Sequence, residues 1–153
     1  MKNLVWMGKE LTNYLIKEDG SVFNVKMNRW LKSKVPDTYG YMRYGLHVPL
    51  NFYEDYDYKI NNPNGRTRCV TIRTHKALMN TFRPVDEYPP IPKDDWDKCP
   101  ESVKQWIRDT VYVDHINGDR LDNRLENLCY VTPRQNSNHY KGLMIYDTHP
   151  HQT

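Results

Sequence analysis

The feature that most narrows the fold of this chain is the run from Val111 to Gly142, VYVDHINGDRLDNRLENLCYVTPRQNSNHYKG. It opens on Val111-Tyr112-Val113, residues that suit a pleated strand. It passes through Asp114-His115 into a loop rich in Asn, Asp and Gly, then returns to β-prone Leu128-Cys129-Tyr130-Val131. Thr132-Pro133-Arg134-Gln135 follows as a helix start. Thr132 sits at the N-cap, Pro133 at the first helical position, and Gln135 closes a capping box. The order is therefore strand, long loop, strand, helix. Adjacent residues of a regular strand point to opposite faces. Asp114 and His115 share a site only where the strand bends or ends, and Asn117-Gly118-Asp119 supplies such a break.

This run resembles the ββα core of HNH (His-Me finger) nucleases and is similar to phage HNH homing endonucleases. The resemblance is carried by Asp114-His115-Ile116-Asn117-Gly118-Asp119, Asp122-Asn123-Arg124, Glu126-Asn127-Leu128 and Val131-Thr132-Pro133. Upstream, Thr74 to Phe82 resembles, less specifically, the helix that precedes such a core. The family pattern places a His at the end of the first strand, a central Asn in the loop and a metal-binding His or Asn on the helix. It implies His115 and Asn127 as catalytic residues, Asn127 by bracing the loop and so orienting His115. It implies Asp114 and Asn136 as ligands of one divalent cation, Mg²⁺ or Mn²⁺.

These residue types suit phosphodiester hydrolysis on chemical grounds as well. An imidazole with an ordinary pKa near ~6.5 can take a proton from water at neutral pH. A carboxylate and an amide oxygen are hard donors for a Mg²⁺-like ion that keeps further positions for water and phosphate. Plainer readings exist for each position: a structural histidine at 115, a turn residue at 114, a helix-surface amide at 136. His139 lies one helical turn beyond Asn136 and is a candidate phosphate contact or further ligand.

Residues 1–83 read as short strands and turns. Tyr14-Leu15-Ile16 and Val22-Phe23-Asn24-Val25 flank a hairpin turn at Glu18-Asp19-Gly20-Ser21. Tyr39–Leu46 and Arg66–Ile72 are further strand candidates, giving a twisted antiparallel sheet of three or four strands. Thr74 is placed to cap a helix over His75–Phe82. Residues 84–110 read as a Pro- and Asp-rich linker followed by a helix from Glu101 to Thr110, with Val103, Trp106 and Ile107 on one face. Residues 111–141 form the ββα core and 142–153 a loose tail.

Charge is distributed unevenly. Residues 1–83 hold fourteen Lys and Arg against seven Asp and Glu, whereas the rest of the chain is slightly acidic and the whole carries +3. A basic front is a phosphate-binding footprint. Lys26, Arg29, Lys32, Lys34, Arg43, Arg66, Arg68 and Arg73 are the candidate DNA contacts there, with Arg120, Arg124 and Arg134 beside the core. A two-stranded ribbon suits the major groove. His47, His75, His149 and His151 are assigned to structure or solvent. Three widely spaced cysteines suggest reduced, mostly buried thiols and a cytoplasmic setting. No signal peptide and no membrane span is expected.

The chain is thus read as an α+β protein, a basic antiparallel β lobe joined to a ββα-metal core. The expected activity is metal-dependent cleavage of double-stranded DNA, leaving 5′-phosphate and 3′-hydroxyl ends, in a phage homing or nicking enzyme. Only about a dozen residues follow Lys141, too few for the C-terminal helix-turn-helix of longer relatives. A short target site, a homodimer or a borrowed partner would then supply recognition. The alternatives are a catalytically inactive DNA-binding module on the same scaffold, and an interaction domain with no nucleic-acid role.

Overall fold

A computed structural model of the chain describes residues 1–32, 35–53 and 67–140. The N-terminal part is an antiparallel sheet of four strands: β1 (Lys2–Trp6), β2 (Lys9–Ile16), β3 (Val22–Asn24) and β4 (Arg29–Trp30), in that spatial order. The hairpin foreseen around Glu18–Ser21 pairs Ile16 with Val22 and Leu15 with Phe23. Its turn places Gly20 at φ +90, where a Cβ would lie 2.9 Å from the Thr74 methyl, so only glycine fits. The strand β1 at the chain's start was not anticipated.

A separate antiparallel pair follows, β5 (Arg43–Pro49) with β6 (Thr67–Arg73), in register from Arg43↔Arg73 to Pro49↔Thr67. Burial alternates along β5, with Tyr44, Leu46 and Val48 inward, as a one-sided sheet requires. The expected strand over 39–46 is therefore displaced. Residues 37–40 form a turn instead, because the Asp37 carboxylate accepts the N–H groups of Tyr39 and Tyr41 and Gly40 takes φ +86.

Helix α1 (Thr74–Phe82) leaves β6 without a break. Thr74 lies inside the helix rather than capping it: Arg73 occupies the N-cap position and the start has no side-chain cap. Residues 84–110 are more ordered than a linker, since α2 (Lys93–Lys98) precedes α3 (Glu101–Thr110). Trp96 of α2 is buried, with Lys104 and Arg108 over its ring. The helix expected over Glu101–Thr110 forms, but the face shared by Val103, Trp106 and Ile107 is not covered. None of its residues is buried, and Trp106 is 68% exposed.

The chain closes with β7 (Tyr112–His115), β8 (Leu128–Val131) and α4 (Pro133–Tyr140). Thr132 N–H donates to Gln135 Oε1 at 2.9 Å and Gln135 N–H to Thr132 Oγ1 at 3.2 Å, the capping box read from the sequence. One continuous core joins this unit to the rest: Leu128 and Tyr130 pack with Leu4, Ile16, Leu46, Ile72 and Leu78. Burial of such side chains stabilises by roughly 1.5–3 kcal/mol each. Of the cysteines only Cys129 is buried. Cys69 is exposed and Cys99 partly so, and all three are free thiols. No described helix is long and apolar enough to cross a membrane.

Candidate active site

Asp114 and His115 end β7 opposite Cys129 and Leu128 of β8, and both side chains are fully buried. Strand alternation fails at this point for a local reason. The His115 N–H donates to Asp114 Oδ1 at 2.9 Å. The backbone then turns, with Gly118 N–H donating to His115 C=O at 2.9 Å and Gly118 at φ +77. The loop beyond is held by short polar side chains. Asn117 Oδ1 accepts from Asp119 N–H, and Asp119 Oδ1 accepts from Leu121 N–H.

Asn127 is buried and braces this loop directly. Its Oδ1 accepts from Asn117 N–H at 3.0 Å. Its Nδ2 donates to Asn117 Oδ1 at 3.0 Å and to Asp122 C=O at 2.8 Å. The His115 ring itself is held by a different residue. Asn123 Oδ1 lies 2.7 Å from His115 Nε2. An amide oxygen only accepts, so Nε2 carries the ring proton and Nδ1 the lone pair. Sequence reasoning missed this role, although Asn123 stands in a phrase that carried the resemblance. Burial pulls the His115 pKa below its ordinary value, against the Asn123 bond and the Asp114 charge, which favour protonation. The ring is therefore a neutral acceptor at neutral pH.

Helix α4 packs on β7 and β8 and brings His139 to Asp114, with Nδ1 2.8 Å from Oδ2. Asn136 sits one turn earlier, half-buried, and its side-chain amide makes no hydrogen bond among the described residues. Asp114 and Asn136 thus lie on adjoining elements, and His139 engages the carboxylate between them. Among the described residues no group of three His, Cys, Asp or Glu side chains could hold a metal unaided. One carboxylate plus one open amide oxygen is nonetheless a donor set that fits a hard cation with water and phosphate completing its shell.

His75 was assigned to structure, and the structure places it in the site. It is 2% exposed, with its ring centroid 4.9 Å from that of His115 and 4.8 Å from that of Tyr41. Burial, reinforced by His115, holds the His75 pKa well below its ordinary value. Tyr41 in turn lies under two guanidinium groups, Arg73 at 4.4 Å and Arg120 at 4.9 Å from its ring centroid. Arg73 also pairs with Asp37 at 2.9 Å, and Arg120 donates to the Tyr39 carbonyl.

The other basic candidates are dispersed. Lys26 and Arg29 lie at the β3–β4 turn and, like Lys32, are exposed. Arg43 reaches the Val35 carbonyl, and Arg68 lies on β6 opposite Val48. Arg124 pairs with Asp122 at 2.8 Å, and Arg134 is exposed on α4. Lys34, Arg66, His149 and His151 fall outside the described residues.

The chain is similar to known proteins in sequence and in fold. A family model described as HNH endonuclease matches residues 86–138. An uncharacterised HNH endonuclease of Acanthamoeba polyphaga mimivirus is 27% identical over 129 residues, covering 84% of this chain and 27% of that protein. A solved structure reporting DNA binding and cleavage by the HNH homing endonuclease I-HmuI superposes with a TM-score of 0.52 at 20% identity. That match covers 94% of this chain and 61% of the other. The chain thus spans about a quarter of its curated relative and under two thirds of the solved one. Residues 86–138 thus match an HNH endonuclease family model, and within that segment the ββα unit forms around Asp114 and His115.

Proposed function

We propose that this chain hydrolyses phosphodiester bonds of double-stranded DNA with the aid of one divalent cation, as a homing or nicking enzyme of viral origin. The carrying observation is the state of His115: Nε2 tied to Asn123 and Nδ1 buried with its lone pair uncommitted. A base so held is oriented before substrate arrives. His115 Nδ1 takes a proton from the attacking water. Asn123 Oδ1 then bonds an imidazolium N–H, which is a stronger bond than the neutral one. Asn127 keeps the loop from shifting, and Arg73 and Arg120 offer charge to the phosphate. A cation held by Asp114 and Asn136, Mg²⁺ or Mn²⁺, would supply stabilisation of the phosphorane and of the departing 3′-oxygen.

The test is cleavage of supercoiled plasmid with Mg²⁺, with EDTA, and with His115→Ala. Nicked or linear product from the wild type alone, and only with the metal, supports the reading. Equal inactivity of wild type and variant, with DNA still bound, favours a binding module on this scaffold.

A further inference from the structure

His75 is a buried imidazole that the scheme above leaves unused. The preceding Thr74 N–H is tied to the Met42 carbonyl at 2.9 Å, so the junction of β6 and α1 fixes where the ring lies. Its Nδ1 is buried without a partner, and so is Nδ1 of His115. Among the described residues no other buried side-chain nitrogen or oxygen lacks one. Buried polar atoms are nearly always hydrogen-bonded, and each exception calls for a cause. Two exceptions on adjoining rings, 4.9 Å apart between centroids, have one cause in common: a polar group that comes with the substrate.

We propose that His75 is a further active-site residue, its Nδ1–H donating to the oxygen of the water that His115 activates. The proposal rests on the nuclease reading. In the step, the water gives its proton to His115 Nδ1 as its oxygen bonds phosphorus and the bond from phosphorus to the 3′-oxygen breaks. His75 keeps its own proton throughout and fixes the direction of attack. The neutral ring serves this purpose, because a neutral imidazole places one N–H and has no charge to be desolvated. Tyr41, stacked on His75 with its ring planes 29° apart, holds the ring from the other side.

Packing alone would make a different prediction, and two substitutions separate them. His75→Phe keeps an aromatic wall and removes both nitrogens. His75→Asn loses the wall but keeps a donor near the Nδ1 position. Single-turnover plasmid cleavage with Mg²⁺ is read alongside thermal melting and metal-free DNA binding. We expect His75→Phe to melt and bind like the wild type yet cleave at least tenfold more slowly. His75→Asn should melt lower but cleave faster than His75→Phe. A filler role gives the opposite order in cleavage. Cleavage by His75→Phe within twofold of wild type, or by His75→Asn no faster than by His75→Phe, overturns the assignment. His75→Leu replaces His75→Phe if the larger ring prevents folding. A wild type that does not cleave overturns the nuclease reading and this inference together. A cleaving wild type, a silent His115→Ala and a fully active His75→Phe overturn the role of His75 alone.

Discussion

Acid should destabilise this protein through His75 in a way that can be isolated. The ring is 2% exposed, and burial together with the adjoining His115 keeps it neutral well below its ordinary pKa of 6.5. In the unfolded chain it protonates normally. Below pH 6.5 the unfolded state therefore binds more protons than the folded state, so stability falls as pH falls. Each pH unit below that value costs at most about 1.4 kcal/mol, a ceiling of about 2 kcal/mol by pH 5 that is reached while the folded ring stays neutral. The side chain is closed to solvent, so no discount for screening applies. The assay is urea denaturation at pH 7 and pH 5, at constant ionic strength with EDTA, for wild type and His75→Phe. The wild type should lose more than the variant between the two pH values, by up to about 2 kcal/mol. His115, also displaced downward by burial, titrates in both proteins. So does Asp37, whose burial is outweighed by the Tyr41 and Tyr39 amides and by Arg73. Equal losses in the two proteins would show that folded His75 takes up its proton freely, and the account of a closed imidazole pair would be wrong.

Two further outcomes follow from the loop. Asn123→Ala removes the acceptor from His115 Nε2, whose bond is worth about 1 to 1.5 kcal/mol more once the ring is cationic; single-turnover cleavage should drop roughly tenfold, and an unchanged rate counts against Asn123 as orienter. Asn127→Ala deletes three hydrogen bonds from a buried amide and leaves the Asn117 N–H without its acceptor, so stability should fall by about 3 kcal/mol in urea titration, where a loss below ~1 kcal/mol contradicts a bracing role.

The ββα unit was legible because its signals are local. Thr132 and Gln135 lie three residues apart and cap each other, and the β runs on either side of the loop pair from Tyr112↔Val131 to His115↔Leu128. The same holds for the Glu18–Ser21 hairpin. What stayed hidden depends on contacts distant in sequence. His75 precedes His115 by forty residues, and nothing in THKALMNTF says that the two rings meet. Tyr41 was read as a strand residue because its neighbours alternate; the Asp37 carboxylate binding two backbone amides decided for a turn. On α3 periodicity gave the helix correctly and its environment wrongly. Spacing shows that Val103 and Trp106 share a face, not that anything covers it. The resemblance gave Asn127 the bracing of the loop and gave Asn123 no role, although both stand in the same polar loop. Only the fold shows that one amide serves the backbone and the other the imidazole.

The site belongs to neither end of the chain alone, and this has a mechanical consequence. The loop carrying Asn123 and Asn127 is fastened to α1 by the Arg83 guanidinium, which donates to the Leu125 carbonyl at 3.1 Å, and by Tyr130, whose hydroxyl donates to the Arg83 carbonyl at 2.8 Å. Leu128 and Tyr130 of β8 are closed off by side chains from the N-terminal strands and α1. The ββα segment therefore cannot bury its own apolar face, and its geometry is set by the rest of the protein. The second link is the stack of Arg120, Tyr41 and Arg73, which ties the loop after β7 to the turn before β5. Both guanidinium groups are candidates to grip phosphate, and both now share the tyrosine ring that borders the two imidazoles. The Nδ1 atoms of the two imidazoles that this ring borders are closed to solvent. The same aromatic ring thus contacts both guanidinium groups on one hand and both imidazoles on the other.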